Sequence, residues 1–272
     1  MNIWTESEIQ YLKDNYEFMS KCELSRILNK STNAIQIKAN RMGLRKKDKY
    51  YYNKEYFKEI SSPTQAYWLG FIYADGYITK SKNSKDTFSI GIELSKKDKG
   101  HLKNFNKDID GNIDVTERHR KSTYNDKVIE GDISIIRIYC SEMAKDLSNH
   151  GCCLKKSLIK QAPVGVPEEF MRDFIRGYFD GNGTICKLNK SCKNQYRVQI
   201  ETASVNFLKW LSEYLENRGF ENYICRDGLH AYKIHIKTQR CLDFLNYLYK
   251  GSERYLNRKY NIYKIAVCEE CA

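Results

Sequence analysis

The residues whose types and spacing could do chemistry fall in two matching segments. Tyr67-Trp68-Leu69-Gly70-Phe71-Ile72-Tyr73-Ala74-Asp75-Gly76 aligns position for position with Phe174-Ile175-Arg176-Gly177-Tyr178-Phe179-Asp180-Gly181-Asn182-Gly183. Each segment predicts a helix that a glycine ends. Asp75 and Asn182 then fall at helix C-termini, where the macrodipole is negative and a cation is favoured. Asp75 brings a carboxylate to such a place, whereas Asn182 brings a neutral carbonyl oxygen and no charge. Asp180 stands two residues earlier, on another helix face, and does not simply replace the acid. Small residues recur at i and i+4, Gly70 with Ala74 and Gly177 with Gly181. That spacing puts them on one face and lets a second backbone approach closely.

The elements that must position these helix ends repeat as well. Tyr77-Ile78-Thr79-Lys80 and Thr184-Ile185-Cys186-Lys187 read as strands. Phe88, Ile90, Ile92 and Leu94 then alternate with polar residues, as do Val198 and Ile200, which predicts half-buried strands. A helix follows around Leu102 and Phe105, and in the second copy around Phe207, Leu208 and Leu211. Another alternating strand comes next, at 136–139 or 232–237, and each copy closes with a helix, at 142–148 or 239–248. Helix-strand-strand-helix-strand-strand-helix, twice, is an α+β fold of two pseudo-symmetric halves. The polar strand faces offer Lys80, Lys82, Arg137, Lys187, Arg197, Gln199, Lys233, His235 and Lys237. A two-stranded ribbon fits the DNA major groove. The stretches 117–131 and 187–196 read as long, basic hairpin tips.

The first residues form a separate pattern. Thr5-Glu6-Ser7-Glu8 and Ser20-Lys21-Cys22-Glu23 are capping boxes, and Ser31 can cap a third helix that Gly43 ends. Ile9, Leu12 and Tyr16 make one apolar stripe, Leu24, Ile27 and Leu28 a second, and Ile35, Ala39 and Met42 a third. Helices two and three are joined by a short turn, a helix-turn-helix connection. The outer side of helix three carries Asn33, Gln36, Asn40 and Arg41 with Lys38 beside them, and Arg45-Lys46-Lys47 follows. Asn and Gln can bond adenine edges while Lys and Arg hold phosphates. The stretch from Trp4 to Leu44 resembles Myb-like or resolvase-like helix-turn-helix modules. The expected division is 1–47 for this small all-α domain, 48–64 for a linker, 65–162 for the first half and 163–272 for the second.

The doubled motif, its spacing and the order of elements resemble a single-chain LAGLIDADG homing endonuclease, over about residues 67 to 265. The resemblance implies two motif helices packed at a pseudo-twofold axis, and two sheets forming a saddle whose polar face lies in the major groove. It implies one acid from the eighth motif position of each helix, here Asp75 and Asn182, holding Mg²⁺ or Mn²⁺, with a backbone carbonyl of Gly181 or Ala74 as a further ligand. Divalent metals held by carboxylates stabilise the charge of a pentacovalent phosphate and activate water. It also implies a basic residue after the last helix of each half. Lys156 stands 81 residues after Asp75 (156 − 75) and Lys259 stands 77 after Asn182 (259 − 182). Ser95 or Lys96, and Glu201 or Thr202, fall where the family places a second polar group. Asn182 departs from the pattern. It leaves open a nicking or slow enzyme, a DNA-binding regulator without cleavage, or a deliberate inactivating substitution. An intron-splicing cofactor that binds RNA is a further alternative, but strand faces that read a major groove favour DNA.

Composition sets the bounds. The chain has 272 residues and a formal charge of +12, which calls for a polyanionic partner. The charges are dispersed, so a disordered basic arm is not expected. Met1-Asn2-Ile3-Trp4-Thr5 leads into polar helix with no signal-peptide pattern, and no apolar run approaches membrane-spanning length. The ten Cys are scattered and read as reduced thiols. Cys268-Glu269-Glu270-Cys271 is half of a zinc spacing without its second pair, on a C-terminus expected to fray. The expectation is a cytoplasmic monomer with internal pseudo-twofold symmetry, acting on double-stranded DNA.

Overall fold

The computed structural model describes residues 4–46, 49–81, 87–124, 127–152, 161–188, 195–227 and 231–270. The chain divides into two units, Met1–Tyr51 and Tyr52–Ala272.

The first unit is built on its caps. Thr5 Oγ1 accepts from the Glu8 N–H at 3.2 Å, and Glu8 returns a bond to the Thr5 N–H at 2.8 Å, starting α1 (Glu6–Asn15). Ser20 and Glu23 do the same for α2 (Lys21–Ile27). Ser31 caps α3 (Thr32–Arg41) through the Ala34 N–H. Satisfying these otherwise orphaned donors stabilises each start by about 1 kcal/mol. Asn29 turns the chain between α2 and α3 at φ 48°, and Gly43 turns it out of α3 at φ 68°. Leu12, Tyr16, Leu24, Leu28, Ile35 and Ala39 form the core. Ile27, expected inside, is 53% exposed, because α2 ends there and Leu28 takes the inward place. Lys46, expected to face outward in a basic run, is turned onto the end of α1. Its Nζ donates to the Tyr16 and Met19 carbonyls and lies 4.2 Å over the Tyr16 ring.

The second unit opens with residues expected as linker. Tyr56, Phe57 and Ile60 are instead buried in its core, and the Gln65 side chain donates to the Tyr56 carbonyl at 2.8 Å. Their apolar side chains, in a stretch without clean period, fill the space beside α4 (Pro63–Asp75). Ser62 caps α4, and Pro63 takes the first turn, where no N–H is needed.

From α4 the chain runs through β1 (Gly76–Lys80), β2 (Phe88–Ser95), α5 (Lys99–Asp108), β3 (Thr116–Tyr124), β4 (Lys127–Tyr139) and α6 (Ser141–Asn149). The order then recurs as α7 (Met171–Asn182), β5 (Gly183–Lys187), β6 (Tyr196–Thr202), α8 (Val205–Glu216), β7 (Asn222–Asp227), β8 (Ala231–Ile236) and α9 (Cys241–Tyr249). Both sheets are antiparallel, with strand orders β1-β2-β4-β3 and β5-β6-β8-β7. The register repeats too: Gly76 faces Ile92, and Gly183 faces Ile200. In each sheet one face carries the core residues, among them Ile90, Ile92 and Ile136, or Val198, Ile200 and Ile234. The expected α+β architecture of two pseudo-symmetric halves is the architecture found.

The C-terminus, expected to fray, continues as α10 (Asn257–Glu270). Tyr263 and Ala266 bury it against the core, and the Tyr263 hydroxyl bonds the Asn246 side chain at 3.0 Å. Among the described residues no helix is long and apolar enough to cross a membrane.

Candidate active site and nucleic-acid interface

The two motif helices meet at their glycines, and the fit is reciprocal. A Cβ added to Gly70 would lie 2.0 Å from the Phe174 carbonyl oxygen, and one added to Gly177 would lie 1.9 Å from that of Tyr67. One turn on, a Cβ at Gly181 would strike the Ala74 methyl at 2.3 Å. This is the close backbone approach that the paired small residues predicted. Both helices therefore end side by side, and Asp75 and Asn182 are their last residues. Asp75 is half-buried, with its carboxylate against Gly181 (3.4 Å from the position of an added Cβ).

Asn182 faces a cleft of about 450 Å³ lined by Ala74, Gly181, Asn182, Gly183, Thr184, Glu201, Thr202, Ala203 and Ala231. Beneath it lies the Tyr178 hydroxyl, which accepts from the Asn182 amide at 3.4 Å and donates to the Glu201 carbonyl at 3.4 Å. Burial pushes the Tyr178 phenol up to about 12, so it stays a neutral donor. The two helix ends bring one carboxylate and one amide to this seam, and Glu201 lines the cleft beside them. Among the described residues no three His, Cys, Asp or Glu side chains gather into a self-sufficient metal cage. That set suits a hard cation that completes its shell with water and phosphate oxygens.

Asp180 is fully buried and takes hydrogen bonds from the Tyr67 hydroxyl at 2.7 Å, the Tyr249 hydroxyl at 2.6 Å and the Leu256 N–H at 2.7 Å. Burial raises its pKa, opposed by Lys259 and these donors. It is a structural acid of the seam, as its helix position predicts. Lys259 departs from expectation. It is 2% exposed, and its Nζ donates to the Phe179 and Asp180 carbonyls at 2.5 and 2.8 Å. It caps the last turn of α7 from α10, instead of presenting its ammonium to solvent. Burial depresses its pKa to about 8. Lys156 lies outside the described residues.

The strand faces are less basic than expected. Alternation puts Lys80 with Ile78 and Lys187 with Ile185, on the helix-packed side, so both are exposed strand ends off the polar face. Arg137 does lie on the polar face, donating to the Tyr77 hydroxyl at 2.9 Å, which itself donates to Glu93 at 2.9 Å. Arg118 also reaches Glu93 at 3.1 Å. In the second sheet Arg197 is exposed, Gln199 half-buried and paired with His235, and His235 stacks on Tyr223 with centroids 5.1 Å apart. Burial and the neighbouring Arg197 and Lys233 lower the His235 pKa. Lys233 is bonded to Asp227 at 2.5 Å, and Lys237 pairs with Glu221. The faces are thus laced with exposed ion pairs, each weak and exchangeable for a phosphate contact. Lys82 lies outside the described residues. On α3, Asn33, Asn40 and Arg41 are exposed and Lys38 half-buried, and the Gln36 amide is bonded to Asn40 at 2.7 Å.

The model of the LAGLIDADG-like domain family matches residues 169–258, the segment from just before α7 to the start of α10. Over those residues the chain is similar to a LAGLIDADG-like domain. The repeated sheet order and the reciprocal glycine contacts give the first half the same arrangement of elements. Among solved structures, the homing endonuclease I-WcaI bound to its DNA recognition sequence matches with a TM-score of 0.51 at 14% identity, covering 72% of this chain and 85% of that one. I-DmoI in complex with DNA and Ca matches with a TM-score of 0.46 at 17% identity, covering 78% and 99%. At 14% identity the likeness to I-WcaI is one of fold. A curated relative, DNA-directed RNA polymerase subunit Rpo1C of Methanocaldococcus jannaschii, is 32% identical over 122 residues. That match takes in 44% of this chain and 12% of the polymerase subunit.

Sequence reasoning missed Glu93, the pseudo-equivalent of Glu201. The signal was present, since both follow the strand residue paired with the motif's last glycine.

Proposed function

We propose that the protein is a sequence-specific double-stranded DNA endonuclease that hydrolyses phosphodiester bonds with a divalent metal, Mg²⁺ or Mn²⁺. The observation that carries the reading is the placement of Asp75: a helix-end carboxylate at the glycine seam, beside a cleft and flanked by two polar sheet faces. Asp75, the Asn182 carbonyl and a backbone carbonyl of Ala74 or Gly181 would hold the metal, which when bound supplies charge stabilisation and an activated water. The chain's own groups orient the duplex. Arg137, Arg197, Gln199, Lys233 and His235 present donors toward base edges and phosphates. Lys259 fixes the end of α7 and so the position of Asn182. The first unit adds contacts through Asn33, Asn40 and Arg41 on α3, in a helix-turn-helix role.

The test is incubation with a randomised duplex library and Mg²⁺, scored for nicks and double-strand breaks. Cutting at one long site is expected. Asp75→Ala should abolish it while leaving binding within a few-fold. An Asp75→Ala protein that cuts like the wild type would refute the reading. Asn182 favours a second one, a DNA-binding regulator without cleavage. Tight, sequence-selective binding with no nicks from the wild-type chain would select it.

A further inference from the structure

The two halves of the seam differ in a compensating way. Half one has its helix-end acid, Asp75, and its strand glutamate is engaged. Glu93 lies beneath the Tyr77 hydroxyl at 2.9 Å with Arg118 at 3.1 Å, and its side chain is 18% exposed. The Tyr77 ring lies across Gly91, whose absent Cβ leaves room for it (an added one would lie 2.3 Å away). In half two the register replaces each part. Thr184 stands for Tyr77, Gln199 for Gly91 and Asn182 for Asp75. The covering ring is gone, and the equivalent glutamate, Glu201, lines the cleft together with Asn182. Its side chain is 53% exposed, with Lys233 3.8 Å away. Asn182 and the backbone of Glu201 share one contact, the Tyr178 hydroxyl.

We infer that Glu201 supplies the second carboxylate of the cation site, taking from β6 the charge that Asn182 does not bring from α7. The inference rests on the endonuclease reading and names a residue that reading leaves aside. Glu201 and Asn182 line one cleft together with Gly181, and the Asp75 carboxylate lies against Gly181, which brings the two carboxylates to one locus. A cation there would have two charged oxygens and one amide oxygen, with water and phosphate completing the shell.

Tb³⁺ alone, titrated into the full-length protein without DNA, is the probe, because an ion beside Tyr178 emits when tyrosine is excited. Saturable emission is expected. Glu201→Gln should weaken apparent Tb³⁺ affinity by at least about tenfold. Glu93→Gln, its pseudo-equivalent, should change it less than about twofold. Tyr178→Phe should dim the emission while a competing Ca²⁺ titration still reports binding. Glu201→Gln should also lose Mg²⁺-dependent nicking, and Asn182→Asp/Glu201→Gln should regain it. Wild-type Tb³⁺ affinity in Glu201→Gln, with affinity lost in Asp75→Asn, overturns the role of Glu201 and leaves the endonuclease reading standing. Unchanged affinity in both variants overturns both.

Discussion

The glycine seam makes a quantitative demand on the chain. An alanine at Gly177 would put its methyl 1.9 Å from the Tyr67 oxygen and 2.9 Å from the Phe71 nitrogen, and one at Gly70 would meet the Phe174 oxygen at 2.0 Å. Ordinary carbon–oxygen contact needs more than ~3 Å, the distance below which close-packed interiors resist. The two helices must therefore part by about 1 Å or more. Every clashing atom is helical backbone, so no side chain can swing aside. Overpacking of this kind costs about 1–3 kcal/mol, and a backbone clash puts it at or above the upper end. We expect Gly177→Ala and Gly70→Ala each to lose about 3 kcal/mol. Because one separation relieves both clashes, the double variant should lose clearly less than the sum. Gly100, in α5, has nothing within 4 Å of an added Cβ, so Gly100→Ala should gain about 0.5–1 kcal/mol. Urea denaturation followed by fluorescence, with Trp68 fully buried beside the seam, reads all four. A Gly177→Ala protein within about 0.5 kcal/mol of wild type, or strict additivity of the pair, would refute the close approach.

Other outcomes follow from the site. The folded pKa of Lys259, about 8, lies below its ordinary 10.5. The native state therefore sheds a proton that the unfolded chain still holds. Stability relative to Lys259→Met should rise as pH climbs through this window, by on the order of 1–3 kcal/mol, and a flat difference between the two denaturation curves would contradict the burial. DNA binding, measured by fluorescence anisotropy, should weaken by about 10³–10⁵ between 50 and 200 mM salt if six to ten phosphates are held. A salt-insensitive affinity would argue against the polar faces as the contact surface. Asn182→Asp should speed cutting of at least one strand in a nicking assay, whereas no change would favour the regulator.

What was legible in the sequence follows from where identity is forced. Gly70 and Gly177 could be read because a backbone contact tolerates no side chain, and Thr5, Ser20 and Ser31 because a helix start needs an acceptor. The strand pairs were readable from alternation in their middles. Alternation was equally readable at their ends: Lys80 and Lys187 stand two residues after the buried Ile78 and Ile185 and so share their face, and counting them with the polar face passed over that parity. Tyr56, Phe57 and Ile60 have no period because they plug a space set by distant elements. Lys46 and Lys259 show the same limit for charge: composition counts a cation, but tertiary packing decided that each would serve a helix C-terminus instead of a phosphate.

Asp180 gathers its three donors from α4, α9 and the turn before α10, segments 113, 69 and 76 residues away along the chain. The acid's housing therefore depends on α4, α9 and the C-terminal segment together. A chain ending before Leu256 would take from that group the second of the two donors on its Oδ2, in a dry interior. The C-terminal segment is thus a keystone of the seam, and shortening it should loosen the place where the lobes meet, far from the cut itself.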